Sequence, residues 1–308
     1  MNKRFLLKHL LLAFLSLFVK NGRAQENIVK NPHTILFIGN SFTFAHGSSV
    51  MFYHPESVTD LNNTKIGGVP ALFKTFTNEV GLNFSVSLET SPGMNLEFHL
   101  NEKASVIARR WDYVVMHGYS TLDKQNPGDP SELIASAEQL ALLLRSKNPA
   151  VDINLVATWS RADQTYLSSG YWYGKPIERM ALDIRKGYDL AATKASIKKV
   201  IPVGEAWNRA MKKGLADPNP YDGIGAGQLN LWTYDNYHAS SFGYYLEALM
   251  DFGSVTGLDP LSLGKKERAA IELGFSADQT IALQQVAHDE LTARVGAATL
   301  KDFILKID

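Results

Sequence analysis

The chain has 308 residues, 45% of them hydrophobic and 20% charged, and it contains no cysteine. That balance excludes a disordered chain and a coiled coil, and the missing thiol excludes disulfides, thiolate metal sites and a cysteine nucleophile. Basic and acidic residues number 31 each, so no basic excess attracts nucleic acid.

The N-terminus carries Lys3, Arg4 and Lys8, then the apolar run 10–19 broken only by Ser16, then Gly22-Arg23-Ala24. A positive start, a short apolar core and small residues at a cleavage site describe a secretory signal peptide over residues 1–24. The core is shorter than the ~20 residues a spanning helix needs. An uncleaved membrane anchor is the alternative. Removing the segment's five basic residues (Lys3, Arg4, Lys8, Lys20, Arg23) leaves 26 basic against 31 acidic ones. The expected mature protein, residues 25–308, is a mildly acidic, secreted or periplasmic globule. Soluble cofactors are scarce there, which favours chemistry without them.

Five short β-branched runs follow: 34–38, 84–88, 113–116, 153–157 and 200–203. Each reads as a buried strand. Helical spacing lies between them. Val69, Leu72, Phe73 and Phe76 form one stripe. Leu133, Ala137, Leu140 and Leu144 form a second, after Asp129 as N-cap and Pro130 at the first helical position. Ile177, Met180, Ala181, Ile184 and Tyr188 form a third. Fully apolar strands alternating with helices predict a five-stranded parallel sheet covered on both faces, a three-layer α/β/α sandwich. The tail 260–308 reads as helices packed on this single domain. Ser276 with Gln279 is a capping box there, ahead of Ile281, Leu283 and Val286.

Open parallel sheets bind ligands at the carboxyl ends of their strands. Beyond the first strand stands Gly39-Asn40-Ser41-Phe42-Thr43. Thr43 breaks the G-x-S-x-G elbow pattern, and Asn and Ser are also ordinary turn residues. A serine nucleophile needs a base. Of eight histidines, only His238 has an acid three residues before it, Asp235. The pair can orient an imidazole for catalysis, or it can cap the helix that begins near Ser240.

Together these segments resemble the SGNH (GDSL-like) hydrolase superfamily, in its secreted bacterial branch with Gly-Asn-Ser-Phe-Thr in place of Gly-Asp-Ser. The resemblance spans about residues 33–257. It includes the run from Ser91 to His99 with Gly93, the run from Trp111 to Ser120, Thr158-Trp159, and Val203-Gly204-Glu205-Ala206-Trp207. It implies a flavodoxin-like fold with Ser41 as nucleophile, His238 as general base and acid, and Asp235 as its partner. It also implies an oxyanion hole from the backbone N–H groups of Ser41 and Gly93, where glycine lets the backbone approach the substrate. Relatives place a side-chain amide where this chain has His117. The imidazole either donates to the hole through one N–H or faces elsewhere.

Other features are weaker. His46 and His54 flank a loop without a metal-binding pattern, so no metal is expected. The glycines of 223–227 follow no strand and do not read as a phosphate cradle. The connection 159–176 is long. It brings Trp159, Tyr166, Tyr171, Trp172 and Tyr173 beside Arg161 and Asp163, and Tyr221, Trp232, Tyr234 and Tyr237 approach from the Asp235 side. Aromatic faces suit sugar rings, so these residues are candidates for substrate binding; the alternative is a packed loop. The expected protein is a secreted serine esterase removing small acyl groups, acetyl above all, from carbohydrate. It needs no cofactor, and after cleavage of the leader it does not insert into a membrane. The rivals are a lipase, thioesterase or acyltransferase on the same triad, or a glycan-binding module on a degenerate hydrolase scaffold.

Overall fold

Strand β1 (His33–Gly39) is buried along nearly its whole length and pairs on both sides. A computed structural model describes residues 31–294, and those from Pro32 onward form one compact unit. The expected leader 1–24 lies outside the described residues, as does the end of the tail. On one flank of β1 runs β3 (Phe84–Thr90), and beyond it β2 (Thr59–Asp60). On the other flank run β4 (Tyr113–Met116), β5 (Asp152–Ala157) and β6 (Lys199–Pro202). The order is β2-β3-β1-β4-β5-β6 and every pairing is parallel. The sheet therefore has six strands, not the five expected. Two residues, Thr and Asp, carry no period-2 pattern, so β2 leaves no trace in the sequence.

Strand alternation sends side chains to two separate cores. Ile35, Phe37, Val115, Val156 and Ile201 face helices α1 (Gly68–Glu79), α7 (Val203–Lys212), α8 (Ser241–Thr256) and α10 (Ala277–Arg294). Leu36, Ile38, Met116 and Leu155 face α2 (Leu96–Glu102), α3 (Ala104–Ile107), α4 (Ser131–Lys147) and α6 (Glu178–Lys194). Between β5 and α6 lies the short α5 (Ala162–Tyr166). Helix α4 starts at Ser131, one residue later than expected, and Asp129 still caps it, its Oδ1 accepting from the Ser131 N–H at 2.9 Å. In the tail, α9 (Arg268–Glu272) precedes α10. The Ser276 N–H donates to Gln279 Oε1 at 2.8 Å and the Gln279 N–H to Ser276 Oγ at 3.2 Å, the reciprocal bonds of a capping box. Among the described residues, no helix is long and apolar enough to cross a membrane.

The chain leaves β1 for β3 on one side and returns to β4 on the other. The carboxyl end of β1 is thus the switch point, where such sheets open a crevice. Ser41 stands two residues past that end.

Candidate active site

The turn after β1 is held by side chains. Asn40 Oδ1 accepts from the Phe42 N–H at 3.1 Å, and its Nδ2 donates to the carbonyls of Met94 and Gly118 at 3.0 Å each. One amide thus laces the serine turn to the loops after β3 and β4. The Ser41 carbonyl accepts from the His46 N–H at 2.9 Å and from the Tyr244 hydroxyl at 3.3 Å. Gly39 has to be glycine here, since a Cβ would lie 2.1 Å from Thr43 Oγ1.

The Asp235–His238 segment folds as a tight turn. Asp235 Oδ1 accepts the N–H groups of Tyr237 and His238 at 3.0 and 2.9 Å, and Asn236 sits at φ +54°. Its Oδ2 meets His238 Nδ1 at 2.6 Å. The cap of α8 is Ser240, whose side chain accepts from the Gly243 N–H. Asp235 is therefore committed to its own turn and to the imidazole, not to the helix. Burial disfavours its charged form, but the His238 ring and the two backbone N–H groups outweigh burial and hold the carboxyl at about 2.

With the Nδ1 proton facing the carboxylate, Nε2 is an acceptor, and the Ser41 hydroxyl donates to it at 2.9 Å. Residues 197 positions apart thus form one hydrogen-bonded chain, Ser41–His238–Asp235. Such a chain can pass the hydroxyl proton to the imidazole while the carboxylate stabilises the resulting cation.

Gly93 sits at φ +67°, and nothing lies within 4 Å of where its Cβ would be. Its backbone angle, rather than crowding, is what demands glycine. Among the described residues, neither the Ser41 nor the Gly93 N–H has an acceptor. Both donors are thus unspent.

Of the two readings of His117, donor to the hole or ring facing elsewhere, the geometry favours the second. His117 continues the face of β4 that carries Val115, so its ring enters the core toward α8. The ring packs edge-on to Phe42 with centroids 5.4 Å apart, and Nδ1 lies 3.5 Å from Glu247 Oε1. Both ring nitrogens are closed off and unbonded. Burial pushes the imidazole down to about 3 and raises the Glu247 carboxyl well above its ordinary range. Burial disfavours the charged form of both groups, and the buried ring presents no N–H to a substrate.

The aromatic wall needs correcting too. Trp159, Trp172 and Trp232 are 0%, 3% and 1% exposed and present no face to a ligand. Trp159 stacks on Phe42 at 4.3 Å and on Trp207 at 4.7 Å, and Trp207 meets Trp232 edge-on at 5.2 Å. Trp159 Nε1 donates to the Tyr237 carbonyl at 3.2 Å, and Trp232 Nε1 to the Ser160 carbonyl at 3.0 Å. This column carries the serine turn and the Asp-His turn from below. Each such buried ring stabilises the fold by about 1.5–3 kcal/mol. Trp172 is anchored by Nε1 to Asp183 at 3.1 Å, and the Tyr166 hydroxyl donates to the Pro218 carbonyl at 2.9 Å. Tyr171 and Tyr173 are exposed. Among the described residues the most exposed aromatic is Tyr234, 79% open and directly before Asp235.

Two neighbours of the site, Asn40 and His46, were not assigned a role from sequence. Asn40 lies inside the serine motif but reads only as a turn residue. His46 places its ring 4.7 Å from that of His238, and nothing in its spacing signals this. Tyr237, read from sequence as a candidate for substrate binding, instead stacks on His238 at 4.0 Å. Among the described residues no group of three or more His, Asp or Glu could hold a metal ion.

No protein-family model matches the chain, and no curated protein matches it. Solved structures do. A DUF4886 family protein from Bacteroides uniformis is 18% identical with a TM-score of 0.59, over 85% of this chain and 95% of its own. A GDSL-like protein from Parabacteroides merdae is 18% identical with a TM-score of 0.53, over 74% and 97%. The chain shares with these proteins an α/β fold built on a parallel sheet.

Proposed function

We propose that this protein is a serine hydrolase of the SGNH type, acting on carboxylic esters. The observation that carries the reading is the unbroken chain from Ser41 Oγ through His238 to Asp235, at the carboxyl edge of the sheet. Ser41 attacks the ester carbonyl as His238 Nε2 takes its proton. The oxyanion forms against the N–H groups of Ser41 and Gly93. The intermediate collapses, the alcohol leaves with the proton from Nε2, and Ser41 holds the acyl group. Water then attacks the acyl-enzyme, giving up a proton to Nε2; as that intermediate collapses, the proton returns to Ser41 and the acid departs. Protons and an acyl group move, and no metal or organic cofactor is called for.

The substrate we favour is a small acyl ester, acetyl first, on carbohydrate. Tyr171, Tyr173, Tyr221 and Tyr234 support it, because they expose phenol faces and rims that suit sugar rings. The leader-like segment 1–24 supports action outside the cytoplasm. Purified protein lacking that segment is assayed with p-nitrophenyl acetate and, for released acetate, with a panel of acetylated polysaccharides. The reading predicts turnover on both, lost in Ser41→Ala. Turnover no greater than that of Ser41→Ala would favour the glycan-binding module instead.

A further inference from the structure

Behind the His238 imidazole the structure builds a layered clamp. Tyr237 stacks on the imidazole, ring centroids 4.0 Å apart and planes 30° apart. The Arg161 guanidinium carbon lies 3.5 Å from the centre of the Tyr237 ring. A cation and an imidazole at those distances cannot share one face, so Tyr237 is sandwiched between them. Arg161 is itself pinned. Its Nε donates to Asp163 Oδ1 at 3.0 Å, its Nη2 to Oδ2 at 2.6 Å, and its Nη1 to Ser120 Oγ at 3.2 Å. The backbone joins the same two segments, since the N–H groups of Ala162 and Asp163 donate to the Asn236 carbonyl at 3.1 and 3.3 Å.

The ring is tied to its own Cβ, so the bonds at Nδ1 and Nε2 set its two torsions only while both are made. A flat neighbour holds the plane when one of them is lost. The need is greatest after Ser41 has given up its proton, because the Ser41 bond is then gone and Nε2–H has to point at the departing alcohol. We infer that Tyr237, clamped by the Arg161–Asp163 pair, is a positioning residue that sets the plane of the His238 imidazole. The inference rests on the hydrolase reading of this site. Asp163 has a second part in it. An unpaired guanidinium two layers behind the imidazole would oppose formation of the imidazolium; the bidentate carboxylate cancels that charge while leaving the cation on the ring.

The test uses p-nitrophenyl acetate turnover, with folding followed by thermal melting. Wild-type turnover that depends on Ser41 establishes the hydrolase reading separately. Given that, Tyr237→Leu should lower kcat by about 10- to 100-fold with KM little changed, the scale of a misplaced catalytic group. Tyr237→Phe keeps the flat face and should hold kcat near wild type. Asp163→Asn should lower kcat by unmasking Arg161, and adding Arg161→Met, whose unbranched chain still packs on the Tyr237 ring without the charge, should recover part of the loss. A purely structural pair would instead lose more with each change. Unchanged kcat in Tyr237→Leu overturns the inference, as does a loss in Tyr237→Phe equal to that in Tyr237→Leu. A raised KM at constant kcat would make Tyr237 a substrate contact and also overturn it. Should Tyr237→Leu fail to fold, the Asp163 and Arg161 variants decide the matter by the same signs.

Discussion

The molecule pairs a histidine with a carboxylate in two neighbouring places, with opposite results. At the sheet edge, Asp235 accepts two backbone N–H groups and the His238 ring at 2.6 Å, and its carboxyl is held at about 2. One layer inward, His117 Nδ1 and Glu247 Oε1 stand 3.5 Å apart, fully buried, with Asp251 four residues further along α8. There burial pushes the imidazole down to about 3 and both carboxyls well above their ordinary range. Each pair sets a carboxyl group beside an imidazole, and burial together with hydrogen-bond satisfaction separates them. A carboxylate that spends its lone pairs on N–H donors stays charged and can stabilise an imidazolium. One left without donors in an apolar layer takes a proton and goes silent.

The largest effect that could break this contrast is loss of the edge pair's activity. Ser41→Ala and His238→Ala should each cut kcat by about 10⁴-fold or more, and the double variant should be little worse than either, because one unit is disabled only once. Losses that multiply would mean the residues act separately. Asp235→Asn should lower kcat by about 10²- to 10⁴-fold with the fold intact. His117→Leu and Glu247→Gln in the inner pair should leave kcat near wild type. A drop of about 10² or more in His117→Leu would put that ring back in the oxyanion hole.

Stability against pH sharpens the contrast. His117 is depressed in the folded state, so the unfolded chain binds its proton first. Its contribution is fully present above its ordinary value of 6.5 and is lost as pH falls toward about 3. Glu247 is raised, so its contribution is present below the ordinary 4.5 and is lost as pH climbs toward its folded value. Melting temperatures of His117→Leu should therefore fall less than wild type between pH 6.5 and 4. Those of Glu247→Gln should fall less on the alkaline side. Curves parallel to wild type would show that the inner pair does not titrate as described.

The edge site was largely readable from sequence and the inner pair was not, for a physical reason. The five long strands, Ser41 after the first and Asp235 three before His238, are local patterns of burial and turn chemistry. Which way His117 points depends on strand alternation continuing past β4 toward α8, a tertiary fact. The aromatic residues show the same limit. The sequence brings Trp159, Trp172 and Trp232 near the site, but only packing buries all three, Trp159 and Trp232 beneath the site and Trp172 in the other core, leaving Tyr171, Tyr173 and Tyr234 on the outside. The smallest predicted effect follows from that sorting. Tyr234→Ala should raise KM for an acetylated oligosaccharide by about 2- to 10-fold, the equivalent of one aromatic contact, and leave p-nitrophenyl acetate hydrolysis unchanged. Equal loss on both substrates would tie Tyr234 to the Asp235 turn instead.

The most direct measurement is to trap the acyl-enzyme. The protein is mixed with p-nitrophenyl acetate, quenched in acid within the first turnover, and its peptides are mapped by mass spectrometry. The triad account predicts an acetyl group on Ser41, absent in Ser41→Ala and accumulating far more slowly in His238→Ala. An unmodified Ser41 alongside sustained turnover, or acetyl on another residue at the same rate in Ser41→Ala, would contradict it.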